Sequence, residues 1–361
     1  MPDASIPTGP AAMEPSGAYN RSSRVQAEGL SAVVPLLEQA ARSVALPAAP
    51  EMVVIADYGA SQGRNSLAPM RAAIRALRAR VGDARPLLVT HTDQASNDFS
   101  TLFVTLDNDP ESYLKNDPAT FATAIGRSFF QQILPPESVT LGWSSWAVQW
   151  LSRTPVEIPD QIQVAYSADA EARAAFARQA AQDWEAFLRA RANELRHGGA
   201  LVTLTMAMTD DGDFGYADVV GAIYGVLVDL RDEGFLHAHE LRRMAIPTVG
   251  RRRVDLAAPF AQTGSFAGLS IAHLEVFLGT DWIWSAYEQD RDAARFGQRW
   301  AAFNRASVFP TLALGLADAG DAARKSAFFD RLERGVAARL AERPTPASIP
   351  LARMVVVKER R

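Results

Sequence analysis

Residues 52–65 read Met52-Val53-Val54-Ile55-Ala56-Asp57-Tyr58-Gly59-Ala60-Ser61-Gln62-Gly63-Arg64-Asn65. The first six residues form a short, nearly unbroken apolar run, the pattern of a strand buried on both faces. Two glycines follow, and then a helical periodicity over 66–80. In an open α/β sheet, ligands bind beyond the carboxyl ends of the strands. Glycines there let a ligand approach the backbone, and the next helix presents free N–H groups. A nucleotide-like ligand is the first expectation. A P-loop fails, because Arg64-Asn65 follow Gly63 where Lys-Ser/Thr is needed. The dinucleotide pattern G-x-G-x-x-G fails too, with only Gly59 and Gly63 present. S-adenosylmethionine, whose loops tolerate looser spacing, remains, with Asp57 placed to meet its charged region. Gly59-Ala60-Ser61-Gln62-Gly63 also fits the G-x-S-x-G elbow of serine hydrolases. That alternative makes Ser61 a nucleophile and needs a catalytic histidine, for which His237, His239 and His273 are candidates.

Outward from this loop, 86–90, 138–142 and 200–208 read as further strands. Helical patterns cover 98–106 and 169–195, the latter stopping at Gly198-Gly199. This alternation predicts an α/β, doubly wound parallel sheet. Beyond 210, helices are expected at 216–233, 237–244, 285–304 and 321–341, and the last strands at 270–277 and 354–358. Residues 1–17 hold four prolines and no periodicity, and are expected to form a loose tail. The rest reads as one domain. Its core is 50–210 plus the C-terminal strands, and its helical cap comes from 18–48 and 211–345. Asp93, at the end of the second strand, suits a ribose hydroxyl.

Composition narrows the function classes. Of 361 residues, 48% are hydrophobic and 22% charged, values of an ordinary globular protein. The net charge of −4 and the absence of basic blocks argue against nucleic acid. No apolar run is long enough to span a bilayer. The absence of cysteine excludes disulfides, thiolate metal sites and thiol nucleophiles. No basic, apolar leader opens the chain, so a cytoplasmic location is expected. Of 37 basic residues only Lys115, Lys325 and Lys358 are lysine, which with the abundant alanine suggests a GC-rich bacterial genome.

Six segments together resemble the SABATH family of S-adenosylmethionine-dependent carboxyl methyltransferases. Tyr19, Ser23 and Gln26 match the Y, second S and Q of its opening S-Y-A-x-N-S-x-x-Q. The stretch 55–67 is similar to I-A-D-L-G-C-S-S-G-P-N-T-L, and Asp93 to Phe103 resembles N-D-L-P-x-N-D-F-N-x-L-F. Ser128-Phe129 resembles G-S-F-Y, and Ser144-Ser145-Trp146-Ala147-Val148-Gln149-Trp150-Leu151-Ser152 resembles S-S-Y-S-L-x-W-L-S. Asp183-Trp184, Phe187-Leu188, Arg191, Glu194-Leu195 and Gly198-Gly199 follow D-F-x-x-F-L-x-x-R-x-x-E-L-x-x-G-G. The resemblance implies a class I methyltransferase fold with a helical cap, and a homodimer. It implies cofactor contacts from Tyr19, Ser23, Asp57, Gly59, Ser61, Asn65, Asp93, Gln94, Ser128, Phe129 and Ser144. Gln26 and Trp150 would hold the carboxylate of a small apolar acid, aromatic, indolic or fatty. Trp143, Ser145, Trp146, Met206 and Met208 would line the acceptor pocket. No metal is required by this reading. A protein that binds the cofactor without catalysis is the remaining alternative.

Overall fold

The computed structural model describes residues 9–15, 17, 29–318 and 320–360. Tyr19, Ser23 and Gln26 lie outside the described residues.

The opening strand is β1 (Val53–Tyr58), followed by α2 (Arg64–Val81); α1 (Val34–Ser43) precedes it. Then come β2 (Leu87–Asp93), α3 (Phe99–Asn108), β3 (Thr120–Gly126), β4 (Val139–Ser145), α4 (Ala170–Glu194) and β5 (Leu195–Met206). The cap contributes α5 (Ala217–Asp232), α6 (Ala238–Arg243) and α7 (Arg253–Ala257) before β6 (Ser265–Phe266) and β7 (Leu269–Leu278). The chain closes with α8 (Trp282–Asp290), α9 (Ala293–Ser307), α10 (Phe309–Leu312), α11 (Ala322–Glu342) and β8 (Pro350–Lys358). Among the described residues the strands form one eight-stranded sheet in the order β3-β2-β1-β4-β5-β8-β7-β6. The first five strands are parallel; β8 runs antiparallel to β5 and β7. This is the doubly wound sheet expected from the sequence, with an antiparallel edge added.

Three local expectations change. β3 was not anticipated, because Thr120-Phe121-Ala122-Thr123-Ala124-Ile125 carries no continuous apolar run. It is an edge strand pairing only with β2 on one side, and Phe121 faces outward at 52% exposure. Gly198-Gly199 does not end α4. The helix stops at Glu194 and the glycines fall inside β5, where the register against β4 jumps from Val139↔Leu195 to Leu141↔Ala200. Gly198 sits at φ +72 there, so the pair accommodates a bulge. The single helix expected over 285–304 is two, broken where Arg291 turns left-handed and Asp292 caps α9.

Where it is described, the expected tail makes hydrogen bonds to the rest of the chain. Residues 9–15 lie against the cap: the Glu14 N–H donates to the Ala306 carbonyl, and the Ala11 N–H donates to Thr311 Oγ1. Gln62 Nε2 donates to the Glu14 carbonyl, tying this strap to the core as well. Among the described residues no helix is long and apolar enough to cross a membrane.

Candidate active site

The strand order reverses between β1 and β4, and this is where the carboxyl ends of β1, β2 and β4 open a crevice. A cavity of about 270 Å³ lies there, lined by Gly59, Ser61, Asp93, Gln94, Ser128 and Phe129 together with strap residues 9–11 and Met13.

Each liner is held for a reason. Gly59 has φ +90, and a Cβ on it would lie 2.4 Å from the Ala147 Cβ. Only glycine gives the loop this turn and this closeness. Ser61 also lies in the left-handed region, at φ 49. Its N–H donates to Asp93 Oδ2, and the Gln94 N–H donates to Oδ1, both at 2.8 Å. Asn97 Nδ2 donates to the Ser61 carbonyl. Asp93 therefore bridges the β1 and β2 loops with no cation beside it among the described residues. Burial, the largest influence, pushes its carboxyl up to about 6, against the two backbone donors that lower it. A half-buried carboxylate on a cavity wall with lone pairs to spare suits a ligand that brings neutral hydroxyl donors.

Phe129 stands in the loop after β3. Its ring meets Phe187 edge-on at 5.9 Å. Arg191 Nη1 donates to the Phe129 carbonyl and Nη2 to those of Gln131 and the Glu194 carboxylate. Glu194 accepts from the Ile133 and Leu134 N–H groups and from the Tyr58 hydroxyl at 2.6 Å. Burial and the neighbouring Glu194 raise the Tyr58 hydroxyl well above its ordinary value, although Arg191 opposes them.

A second cavity, about 90 Å³, lies under the cap. Its walls are mainly apolar, including Phe214, Val219, Val220, Ile223, Ile246 and Phe303. Gln149, Gln163, Thr248, Asn304 and Ser307 interrupt them. Met13, Trp146 and Trp150 line both cavities and so mark where the two meet. The segment carrying the tryptophans is rigidly supported. Trp146 has φ 55, and Gln149 Nε2 donates to its carbonyl. Arg251 Nη1 donates to the Val148 carbonyl, and Ser152 donates through both N–H and Oγ to Asp183. Trp150 is half-buried, and its indole N–H makes no hydrogen bond among the described residues.

Gly59, Ser61, Asp93, Gln94, Ser128 and Phe129 from the expected cofactor set share the first cavity. Ser145 lines it as well, and Met206 lines the second. Five of the expected residues line neither cavity. Trp143 is fully buried in the main core cluster and lines neither cavity, because its position on β4 faces the interior packing. Ser144 is buried, and its Oγ donates to the Tyr58 carbonyl. Met208 packs on the core without reaching the cavity wall. Asp57 is 2% exposed and bonds His91 Nδ1 at 2.7 Å, while His91 Nε2 bonds the Tyr113 hydroxyl. Its contribution is to the floor beneath the loop. Asn65, in the first turn of α2, is not among the cavity liners.

The hydrolase elbow has no partner. Ser61 Oγ is buried without a hydrogen bond, and none of the five histidines bonds it. The liners that the cap contributes carry no signal in the sequence; they are spread from Phe214 to Val308 with no shared spacing.

The family of SAM-dependent carboxyl methyltransferases matches residues 14–356. The chain belongs to that family. Among similar proteins, Methyltransferase FUS9 of Gibberella moniliformis is 28% identical over 68% of this chain and 65% of its own length. The chain thus spans slightly under two thirds of that fungal relative. Indole-3-acetate O-methyltransferase 1 of Oryza sativa subsp. japonica is 28% identical over 89% of this chain and 85% of its own. The solved structure of a loganic acid methyltransferase with SAH superposes with a TM-score of 0.75 at 20% identity, covering 97% of this chain and 99% of the other. That likeness establishes the fold: a class I methyltransferase core beneath a helical cap.

Proposed function

We propose that the protein methylates the carboxylate of a small apolar acid, with S-adenosylmethionine as donor. The observation that carries this reading is the meeting of the two cavities at Trp146 and Trp150, one walled by the glycine loop, Asp93 and Phe129 and the other mainly apolar. S-adenosylmethionine supplies a sulfonium-bound methyl group, which is released to an attacking oxygen as the carbon–sulfur bond breaks. Gly59, Ser61, Asp93, Gln94, Ser128 and Phe129 would hold it, with Asp93 receiving ribose hydroxyls and Phe129 packing on the adenine.

The protein's part in the transfer is placement. A carboxylate is ionised at pH 7, so no proton has to be removed and no general base is needed. The oxygen must be held about 3–3.5 Å from the methyl carbon, in line with the leaving sulfur. Trp150 offers an uncommitted indole N–H where the cavities join, and Gln26 is its proposed companion. Both are neutral donors, which orient a carboxylate without the strong charge pairing that would blunt its attack. Tyr19 and Ser23 are proposed as further cofactor contacts. The family resemblance also supports a homodimer. Among the described residues no group of three or more potential ligands gathers for a metal, and the proposed chemistry uses none.

The relative that acts on indole-3-acetate by name favours an aromatic or indolic acid over a fatty one. Incubation with methyl-labelled S-adenosylmethionine and a panel of free acids should give base-labile methyl esters. Label appearing only on amines or hydroxyls, or on no acceptor, would overturn the reading.

A further inference from the structure

The cavity under the cap contains a hydrogen-bond acceptor that the protein leaves unused. Asn304, on α9, is 3% exposed and lines this cavity. Its Nδ2 donates to the Trp300 carbonyl at 2.8 Å, one turn earlier. A carbonyl can only accept, so this bond fixes which end of the amide is nitrogen. Oδ1 points the other way and receives no hydrogen bond from any described residue. It is also not one of the enclosed orphan atoms, so it borders open space. Three residues on, along the same face of α9, Ser307 Oγ donates its proton to the Phe303 carbonyl. What Ser307 still offers the cavity is acceptance. This wall therefore presents two acceptors, with the second Nδ2 hydrogen of Asn304 as its one remaining side-chain donor.

The opposite side is committed apart from the Thr248 hydroxyl proton. Gln163 Nε2 donates to Thr248 Oγ1, and Gln149 is bonded at both ends of its amide. No charged side chain lines the cavity among the described residues. A carboxylate has acceptors alone and gains nothing from Asn304 Oδ1 or Ser307 Oγ. It belongs at the other end, where the Trp150 N–H is uncommitted. The α9 wall must then face the body of the acid.

We infer that the acceptor acid carries an N–H or O–H donor on its apolar body, and that Asn304 Oδ1, with Ser307 Oγ beside it, receives that donor and selects for it. The inference rests on the carboxyl-transfer reading and deepens it by naming the substrate class. An isostere lacking the donor would bury the Asn304 oxygen unpaired, the situation in which a site rejects an analogue far more strongly than by shape.

The test uses matched acids. Indole-3-acetic acid is compared with its benzofuran isostere, and the hydroxybenzoic acids with the corresponding fluorobenzoic acids. For each, kcat/KM is measured, together with calorimetric binding to protein saturated with S-adenosylhomocysteine. In at least one pair the donor-bearing acid should be favoured roughly 5- to 150-fold, the range set by an unpaired buried acceptor. Asn304→Leu should bring that ratio near one while leaving S-adenosylhomocysteine affinity unchanged. Ratios near one for every pair in the unmodified protein overturn the inference without any variant. A preference that survives intact in a folded Asn304→Leu protein overturns it too. Methyl transfer without preference sinks this inference alone, whereas acids neither methylated nor bound sink the carboxyl-transfer reading with it.

Discussion

Arg191 and Glu194 lie three residues apart on α4, both fully buried, and their side chains meet at 2.8 Å. Between them they bond four backbone groups of residues 129–134. The guanidinium also lies 4.1 Å over the Tyr58 ring at the end of β1. The pair thus acts as a buried bracket for the loop that presents Ser128 and Phe129.

Removing one half of the bracket leaves the other charge buried alone. Arg191→Leu should therefore cost about 3–5 kcal/mol of stability. Chemical denaturation measures this. Near-normal stability would mean that the loop is held by other contacts.

The pH dependence of cofactor binding follows from Asp93. Its carboxyl titrates near 6 in the empty site, raised chiefly by burial. Ribose hydroxyls bond the ionised form, so S-adenosylhomocysteine affinity should fall as pH drops, by about tenfold between pH 7 and pH 5. Asp93→Asn should flatten this profile. The unliganded fold responds with the opposite sign. A carboxyl raised above its unfolded value stabilises the fold at low pH, and that contribution is lost as pH rises through 6. Calorimetry across pH 5–8 separates the two effects, and a flat profile in the unmodified protein would remove Asp93 from the ligand.

Trp150→Phe keeps the ring and removes the indole donor. The loss of an orienting bond to a charged group costs about 1.5–3 kcal/mol, or roughly 10- to 150-fold in kcat/KM. S-adenosylhomocysteine binding should hardly change. Full activity on a free acid would reduce Trp150 to a packing residue.

Gly59→Ala tests the cofactor cradle. The added methyl meets Ala147 at 2.4 Å and the backbone is left-handed, so the β1 loop has to shift. Cofactor affinity should drop at least tenfold, an effect of about 1.4 kcal/mol. Unaltered affinity would show that the loop has room to adjust.

Ser61→Ala should retain most methyl transfer, because no serine nucleophile takes part. Loss of an esterase activity in this variant would revive the elbow reading.

Residues acting through local chain geometry were legible in the sequence. Gly59 and Asp93 stand directly at strand ends, where a short apolar run followed by glycine or an acid locates them. Trp143, Ser144 and Trp146 show the limit. Their order in the motif is plain, but strand parity sends Trp143 into the core and Ser144 onto the Tyr58 carbonyl. A left-handed turn then swings Trp146 towards the cavities. None of that is written in spacing. Asn304 was harder still, because its meaning depends on which of its two amide ends the Trp300 carbonyl claims.

The place of β8 in the sheet constrains the order of assembly. β6 and β7 precede it in the chain, yet among the described residues β7 pairs only with β6 and β8, while β8 pairs with β5. Until 350–358 has docked on β5, the β6–β7 hairpin has no edge to join. About 145 residues of cap and hairpin intervene between β5 and β8, and closing so long a loop is entropically slow. The parallel half of the sheet can form first. Its β5 edge then waits, unpaired and apolar, for the last strand. Refolding should accordingly show a slow phase in which β7 gains amide-exchange protection together with β8 and not before it.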